Sequence, residues 1–177
     1  MVERVTTPHR PALTRRHVLF GTAVAGALAA TGSVLACTAS GAPRTPAKTF
    51  DVNHSDEEWR HLLNSQQYDV LRQAGTEQPF SSPLNDEHRT GTFTCAGCGQ
   101  DLFSSTTKFD SGTGWPSFYR VLNNAVLERQ DDSMGMARTE VLCSRCGGHL
   151  GHVFNDGPAP TGLRYCMNGV AMGFRPA

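Results

Sequence analysis

Six cysteines stand in the 177-residue chain, and four of them form two pairs, Cys95-Ala96-Gly97-Cys98 and Cys143-Ser144-Arg145-Cys146. A two-residue spacing lets one tight turn aim both sulfurs at a common point, and two such turns facing each other supply four thiolates in a tetrahedron. Four thiolates leave no position for water or substrate, so a metal held there is structural. Zinc is the expected ion, with rubredoxin-like iron and a pair of disulfides as competing readings. The two pairs are 44 residues apart, so the metal would clamp distant parts of the chain.

Cys166, in the stretch Gly162 to Val170 (GLRYCMNGV), has no cysteine near it. A lone cysteine is often a small buried hydrophobe. If this stretch is a strand, however, Arg164 at i−2 and Asn168 at i+2 share its face, and a guanidinium beside the thiol favours the thiolate. Upstream, His149-Leu-Gly-His152-Val-Phe-Asn-Asp156 offers two histidines and a carboxylate: a second metal site, packing residues, or a proton donor to a group that the thiolate attacks. Trp115 and Phe118, in Lys108 to Phe118 (KFDSGTGWPSF), are either core or an aromatic wall for a small apolar group such as a thioether methyl.

The elements that must position these groups are short. Ser55-Asp56-Glu57-Glu58 reads as a capping box before Trp59, Leu62 and Leu63, a break at Asn64-Ser65 predicts two helices, and Gly75 closes the second. Beyond Phe80 the helical period is absent, and strands are predicted over 92–94, 118–122, 126–129, 136–142, 152–154 and 162–165. The domain, residues 51–177, is therefore mainly β and antiparallel, with short helices in front. No basic patch serves nucleic acid: the net charge is zero, and four arginines against one glutamate before Cys37 leave the rest at about minus three.

Residues 1–36 have the layout of an export signal, with RPALTRR followed by the uncharged run Val18 to Ala36. TRRHVLF resembles a twin-arginine signal, and Val34-Leu35-Ala36-Cys37 resembles a lipobox, whose cysteine carries lipid. An uncleaved anchor, cleavage near Ala39 to Ala42, and a plain surface cysteine are the competing readings. Residues 37–50 read as a flexible tether. Export already folded would let zinc load in a reducing cytoplasm, which reconciles four thiolates with a location outside the membrane.

KFDSGTGWPSF, EVLCSRCGGHLGHVFNDGPAPTGLRYCMN, the CAGC turn and the lead-in WRHLLNSQQYDVLRQAGTEQPFSS resemble the signature blocks of the peptide methionine-R-sulfoxide reductases. The resemblance implies a tent of two antiparallel β-sheets, with a structural zinc on Cys95, Cys98, Cys143 and Cys146. It implies that Cys166 attacks the sulfoxide sulfur and becomes a sulfenic acid. His149 and His152 would bind and protonate the oxygen, Asp156 would orient them, Arg164 would stabilise the thiolate and Asn168 would hold the site. Trp115 and Phe118 would cradle the methyl group.

Two positions depart from that pattern: Thr113 stands where two-cysteine members carry a resolving cysteine, and Gly169 where a serine usually follows the asparagine. The expected enzyme is thus a one-cysteine, monomeric reductase of oxidised proteins, reset by an external thiol such as a thioredoxin-like domain. Its only tie to a membrane would be the signal or the lipid. A zinc-clamped β-tent binding module without chemistry, and an iron electron carrier, are the rival readings.

Overall fold

Ser55 opens the first helix as expected: its hydroxyl accepts from the Glu58 amide at 3.2 Å, while the Glu58 carboxylate accepts from the Ser55 amide at 2.7 Å. The same reciprocal pair recurs at Asn64 and Gln67, and this second cap splits the region into α1 (Asp56–Leu62) and α2 (Ser65–Gln73). Ala74, with φ 55°, takes the left-handed position at the end of α2, and the Gly75 amide bonds to the Asp69 carbonyl. The structure is a computed structural model and describes residues 49–177. The expected signal, Cys37 and the tether up to residue 48 lie outside the described residues. Phe50, assigned to the tether, packs on Gly147, where a Cβ would come within 2.4 Å of its ring.

Nine strands follow, all paired antiparallel. One sheet has the order β2 (Asp101–Ser104), β1 (Gly91–Cys95), β9 (Met172–Pro176). The other has the order β3 (Lys108–Phe109), β4 (Ser117–Phe118), β8 (Arg164–Met167), β7 (His149–Phe154), β6 (Arg138–Cys143), β5 (Val126–Asp131).

The two sheets press their apolar faces together. Phe103 of the small sheet stacks on Phe118 of the large one with centroids 4.3 Å apart, Phe93 meets the same ring edge-on at 4.8 Å, and Tyr165 joins them. Trp59, Leu63, Tyr68, Val70 and Leu71 of the helical region complete this core.

Several strand limits differ from expectation for local reasons. The strand expected over 118–122 ends at Phe118, because Tyr119 bonds out to Thr107 and Leu122 to Leu102. The one expected over 162–165 starts only at Arg164, since Gly162 (φ 70°) closes a turn with Gly157 and Pro158. β9 holds Gly173 and Pro176, which argue against a strand in the sequence, but it lies at a sheet edge, where proline is tolerated.

Candidate functional site

Cys95 ends β1 and Cys143 ends β6, so one cysteine pair grows from each sheet. The two turns repeat one hydrogen-bond pattern: Gly99 and Gly147 donate to the carbonyls of Cys95 and Cys143, whose own amides donate to Gln100 and Gly148. Gly99 (φ 72°) and Gly147 (φ 69°) supply the left-handed step that closes each turn. All four sulfurs lie within 4.8 Å of one another, with Cys95 to Cys146 at 3.7 Å and Cys98 to Cys143 at 3.6 Å.

A regular tetrahedron with metal–sulfur bonds of about 2.3 Å has edges of about 3.8 Å, so the donor set fits a zinc-sized ion. The same distances exclude disulfides, whose sulfurs stand about 2.05 Å apart, and these cysteines are free thiols. Trp59 lies over Gly97 and Leu71 over Gly148, so the helices roof this cluster.

Cys166 lies elsewhere, on the face of the large sheet turned away from the inter-sheet core. Register places Ser117 opposite Cys166, Cys166 opposite His152, His152 opposite Glu140 and Glu140 opposite Arg129. Opposed residues in antiparallel strands share a face. One row of polar side chains thus crosses five strands, and the half-buried thiol stands between a hydroxyl and an imidazole.

His149, three residues before His152, would face the other side of a regular strand. A bulge at Leu150 moves it across: Val141 pairs with Gly151 but Leu142 pairs with His149, and the two imidazole centroids lie 5.4 Å apart. Each histidine has its own carboxylate. Buried Glu140, also gripped by Arg129 at 2.6 Å, accepts from His149 Nδ1 at 2.7 Å. Asp131 accepts from His152 Nε2 at 2.8 Å and from Arg138 at 2.8 Å. The Ser133 hydroxyl, with His152 next in effect, holds the Asp131 carboxyl well below the usual range. Burial pulls His149 down against the opposing pull of Glu140, so its ring is neutral near pH 7. Its Nε2 is buried without a partner.

The thiol has a hydroxyl chain on its other side. Thr113 Oγ1 lies 3.8 Å from Cys166 Sγ, Ser111 Oγ 2.8 Å from Thr113 Oγ1, and Ser117 Oγ 2.7 Å from Ser111 Oγ. Burial pushes the thiol up, and the hydrogen bond from Thr113, then Arg164 and Ser117, pull it back without cancelling the rise. Arg164 acts in the expected direction, favouring the thiolate, but desolvation outweighs it.

Asp156 does not touch the histidines it was expected to orient. It forks onto Arg164, at 2.8 and 2.9 Å, while Phe154 supports the guanidinium from one side at 4.4 Å. Phe118 is also corrected. It pairs with Tyr165, on the opposite face from Cys166, and is fully buried between the sheets, so it cannot cradle a substrate. Trp115 is half-buried on the turn whose Pro116 carbonyl accepts from the Met167 amide, just past Cys166.

Asn168 is buried, with its amide nitrogen on the Leu150 carbonyl at 3.1 Å and its oxygen accepting from the Glu77 amide at 3.0 Å. Glu77 is a clasp: its carbonyl accepts from the Trp115 indole at 3.2 Å and its carboxylate from the amides of Gly169 and Val170 at 2.6 and 2.8 Å. The departure at Gly169 has a partner in the fold, for a Cβ there would fall 1.9 Å from Ser82 Oγ. The Ser82 hydroxyl occupies that space.

Glu140, Asp131, Glu77 and the hydroxyls of Ser111 and Ser117 were not singled out by sequence. Only Glu140 left a signal, as an acid directly before the apolar run Val141-Leu142-Cys143.

Residues 63–176 match the family described as the SelR domain. A "Peptide methionine sulfoxide reductase MsrB" of Leptospira interrogans is 56% identical over 127 residues, covering 71% of this chain and 97% of that protein. One of the same name from Methanosarcina barkeri is 59% identical over 125 residues, 70% of this chain and 88% of that protein. Another, from Bradyrhizobium diazoefficiens, is 55% identical over 137 residues, 76% of this chain and 99% of that protein.

Proposed function

The chain belongs to the SelR-domain family of peptide methionine sulfoxide reductases, and from that premise we propose that it reduces the R epimer of methionine sulfoxide in proteins with Cys166 as nucleophile. The observation that carries this reading is His149 Nε2: a buried, unpartnered nitrogen on the thiol's face of the sheet. A polar atom in that state calls for a polar visitor.

In the proposed step the Cys166 thiol passes its proton to neutral His149, whose imidazolium Glu140 steadies. The thiolate gives an electron pair to the sulfoxide sulfur, and the oxygen takes the proton back from the histidine pair. Transfer of the oxygen to Sγ breaks the old sulfur–oxygen bond. Methionine leaves reduced by two electrons and Cys166 remains a sulfenic acid, oxidised by two.

Trp115 forms the wall for the methyl group, and Arg164 biases the thiol toward its anion. Thr113 cannot form a disulfide, so two external thiols, from a thioredoxin-like domain or a small thiol, reduce the sulfenic acid and release water. Zinc on Cys95, Cys98, Cys143 and Cys146 would tie the two sheets together and take no part in the reaction. The signal-like residues 1–36 support work outside the cytoplasmic membrane, with a lipid on Cys37 as the anchor.

Dabsyl-methionine-R-sulfoxide and its S epimer, offered with dithiothreitol, test the reading. Turnover of R alone, lost in Cys166→Ser, with a dimedone adduct on Cys166 after one turnover, is the expected result. An internal disulfide on Cys166 would overturn the one-cysteine cycle, and absence of turnover by folded protein would favour a binding module.

A further inference from the structure

We infer that Phe80 is a docking platform for the polypeptide on either side of the oxidised methionine, an inference that rests on the reductase reading above. Phe80 is 74% exposed, the most exposed of three large hydrophobic side chains that face solvent among the described residues. Its backbone is in the left-handed region, with φ 63°, where a bulky side chain is strained. Such strain persists only where the surroundings over-determine it.

The surroundings here are the elements of the candidate site. The Phe80 amide donates to the Gly114 carbonyl at 2.7 Å, and Asn85 Nδ2 donates to the same oxygen at 2.9 Å. Lys108 Nζ in turn bonds to the Asn85 carbonyl at 2.6 Å. The ring rests on Gly114, where a Cβ would stand 2.8 Å from it. Three residues earlier, Glu77 fastens the same loop to the Trp115 indole, to Asn168 and to the amides of Gly169 and Val170. The loop is therefore tied to the turn carrying Thr113 and Trp115 and to the segment leaving Cys166, and what it holds out to solvent is an aromatic ring.

Thr113 touches Cys166 at 3.8 Å, and Gly114 is the next residue. With about 3.8 Å between successive Cα atoms, the Phe80 ring stands on the order of 10 Å from the sulfur, about three residues of extended chain. A peptide whose methionine sulfoxide sits against Trp115 would lay a neighbouring side chain on Phe80. Apolar or aromatic neighbours fit that ring best, and a free amino acid is too short to reach it.

Phe80→Gly tests this in the full chain, because glycine removes the ring and also relaxes the left-handed backbone. The probes are N-acetyl-methionine-R-sulfoxide and a heptapeptide with methionine-R-sulfoxide between Leu and Phe. The expected result is a loss of about tenfold in kcat/KM for the heptapeptide, with the acetylated amino acid changed by less than about twofold. Phe80→Trp should retain the preference for the peptide. Equal losses on both probes would assign Phe80 to the catalytic turn alone and overturn the platform, as would no loss on either. A dimer of the unaltered protein that Phe80→Gly dissolves, seen by sedimentation, would give the ring to a second copy instead. Failure of the unaltered protein on both probes would sink the reductase reading itself, and this inference with it.

Discussion

The protein uses cysteine sulfur in two regions and surrounds it differently in each. At the cluster, four thiols face one another within 4.8 Å, each turn is locked by its own amides, and Trp59 and Leu71 of the helical region pack over the turns. At Cys166 a single thiol faces hydroxyls, a guanidinium and imidazoles at a half-open surface. Mutual closeness suits sulfur to bind a metal, whereas isolation among proton carriers suits it to the nucleophilic role proposed above. The neighbours decide the role: the cluster joins two Cys-x-x-Cys turns, one from each sheet, whereas the groups around Cys166 come from neighbouring strands of one sheet and the turn beside it.

Two serine variants set the regions against each other most sharply. Cys143→Ser breaks the tetrahedron, and structural zinc sites contribute about 10–16 kcal/mol in small peptides, as much as the whole stability of about 5–15 kcal/mol of an ordinary domain. The expected outcome is loss of the near-ultraviolet circular dichroism of folded protein, together with loss of metal by atomic emission. Cys166→Ser should keep both signals and a melting temperature within about 3 °C, while turnover disappears. A folded, active Cys143→Ser protein would show that the cluster is dispensable and blur the distinction.

Glu140→Gln sharpens the proton side of the comparison. It removes the charge that, in the proposed step, steadies His149 as it takes the thiol proton, and general acid–base contributions run to about 10²–10⁴. A fall of about a hundredfold in kcat, with KM little altered, is expected in steady-state assays on methionine-R-sulfoxide. A change confined to KM would mean that Glu140 only shapes the pocket.

The smallest effect concerns the thiol's ionisation. Burial raises the Cys166 pKa, so its alkylation by iodoacetamide should climb with pH to a midpoint above the ordinary cysteine value of about 8.5. The sign follows from the neutral thiol being the favoured form: reactivity is lost as pH falls and gained as it rises. Thr113→Val deletes the hydrogen bond that opposes this rise and should move the midpoint further up. A midpoint that moves down would mean Thr113 acts as an acceptor of the thiol proton.

What could be read in advance follows the range of each interaction along the chain. The cysteine pairs, the capping box at Ser55 and the break at Asn64 are written within a few residues, and each appears as expected. Arg164 beside Cys166 needed only the two-residue period of a strand. Phe118 misled because its aromatic ring is equally at home in a core, and only the pairing of Ser117 with Cys166 shows which face each takes. Asp156 misled because proximity in sequence to His152 does not survive the end of β7, where the chain turns it toward Arg164.

By itself, then, the sequence determined which four cysteines could hold a metal, which cysteine is the candidate nucleophile and the mainly β character of the domain, because these depend on residue type and short spacing. Tertiary structure alone decided which carboxylate serves which histidine. Glu140 lies 9 residues from His149 and Asp131 lies 21 from His152, and their meeting depends on strand register and on one bulge at Leu150. A one-residue slip in an antiparallel pair carries a side chain to the other face of the sheet. No local pattern specifies that slip, so each histidine meets its carboxylate only once the strands have paired.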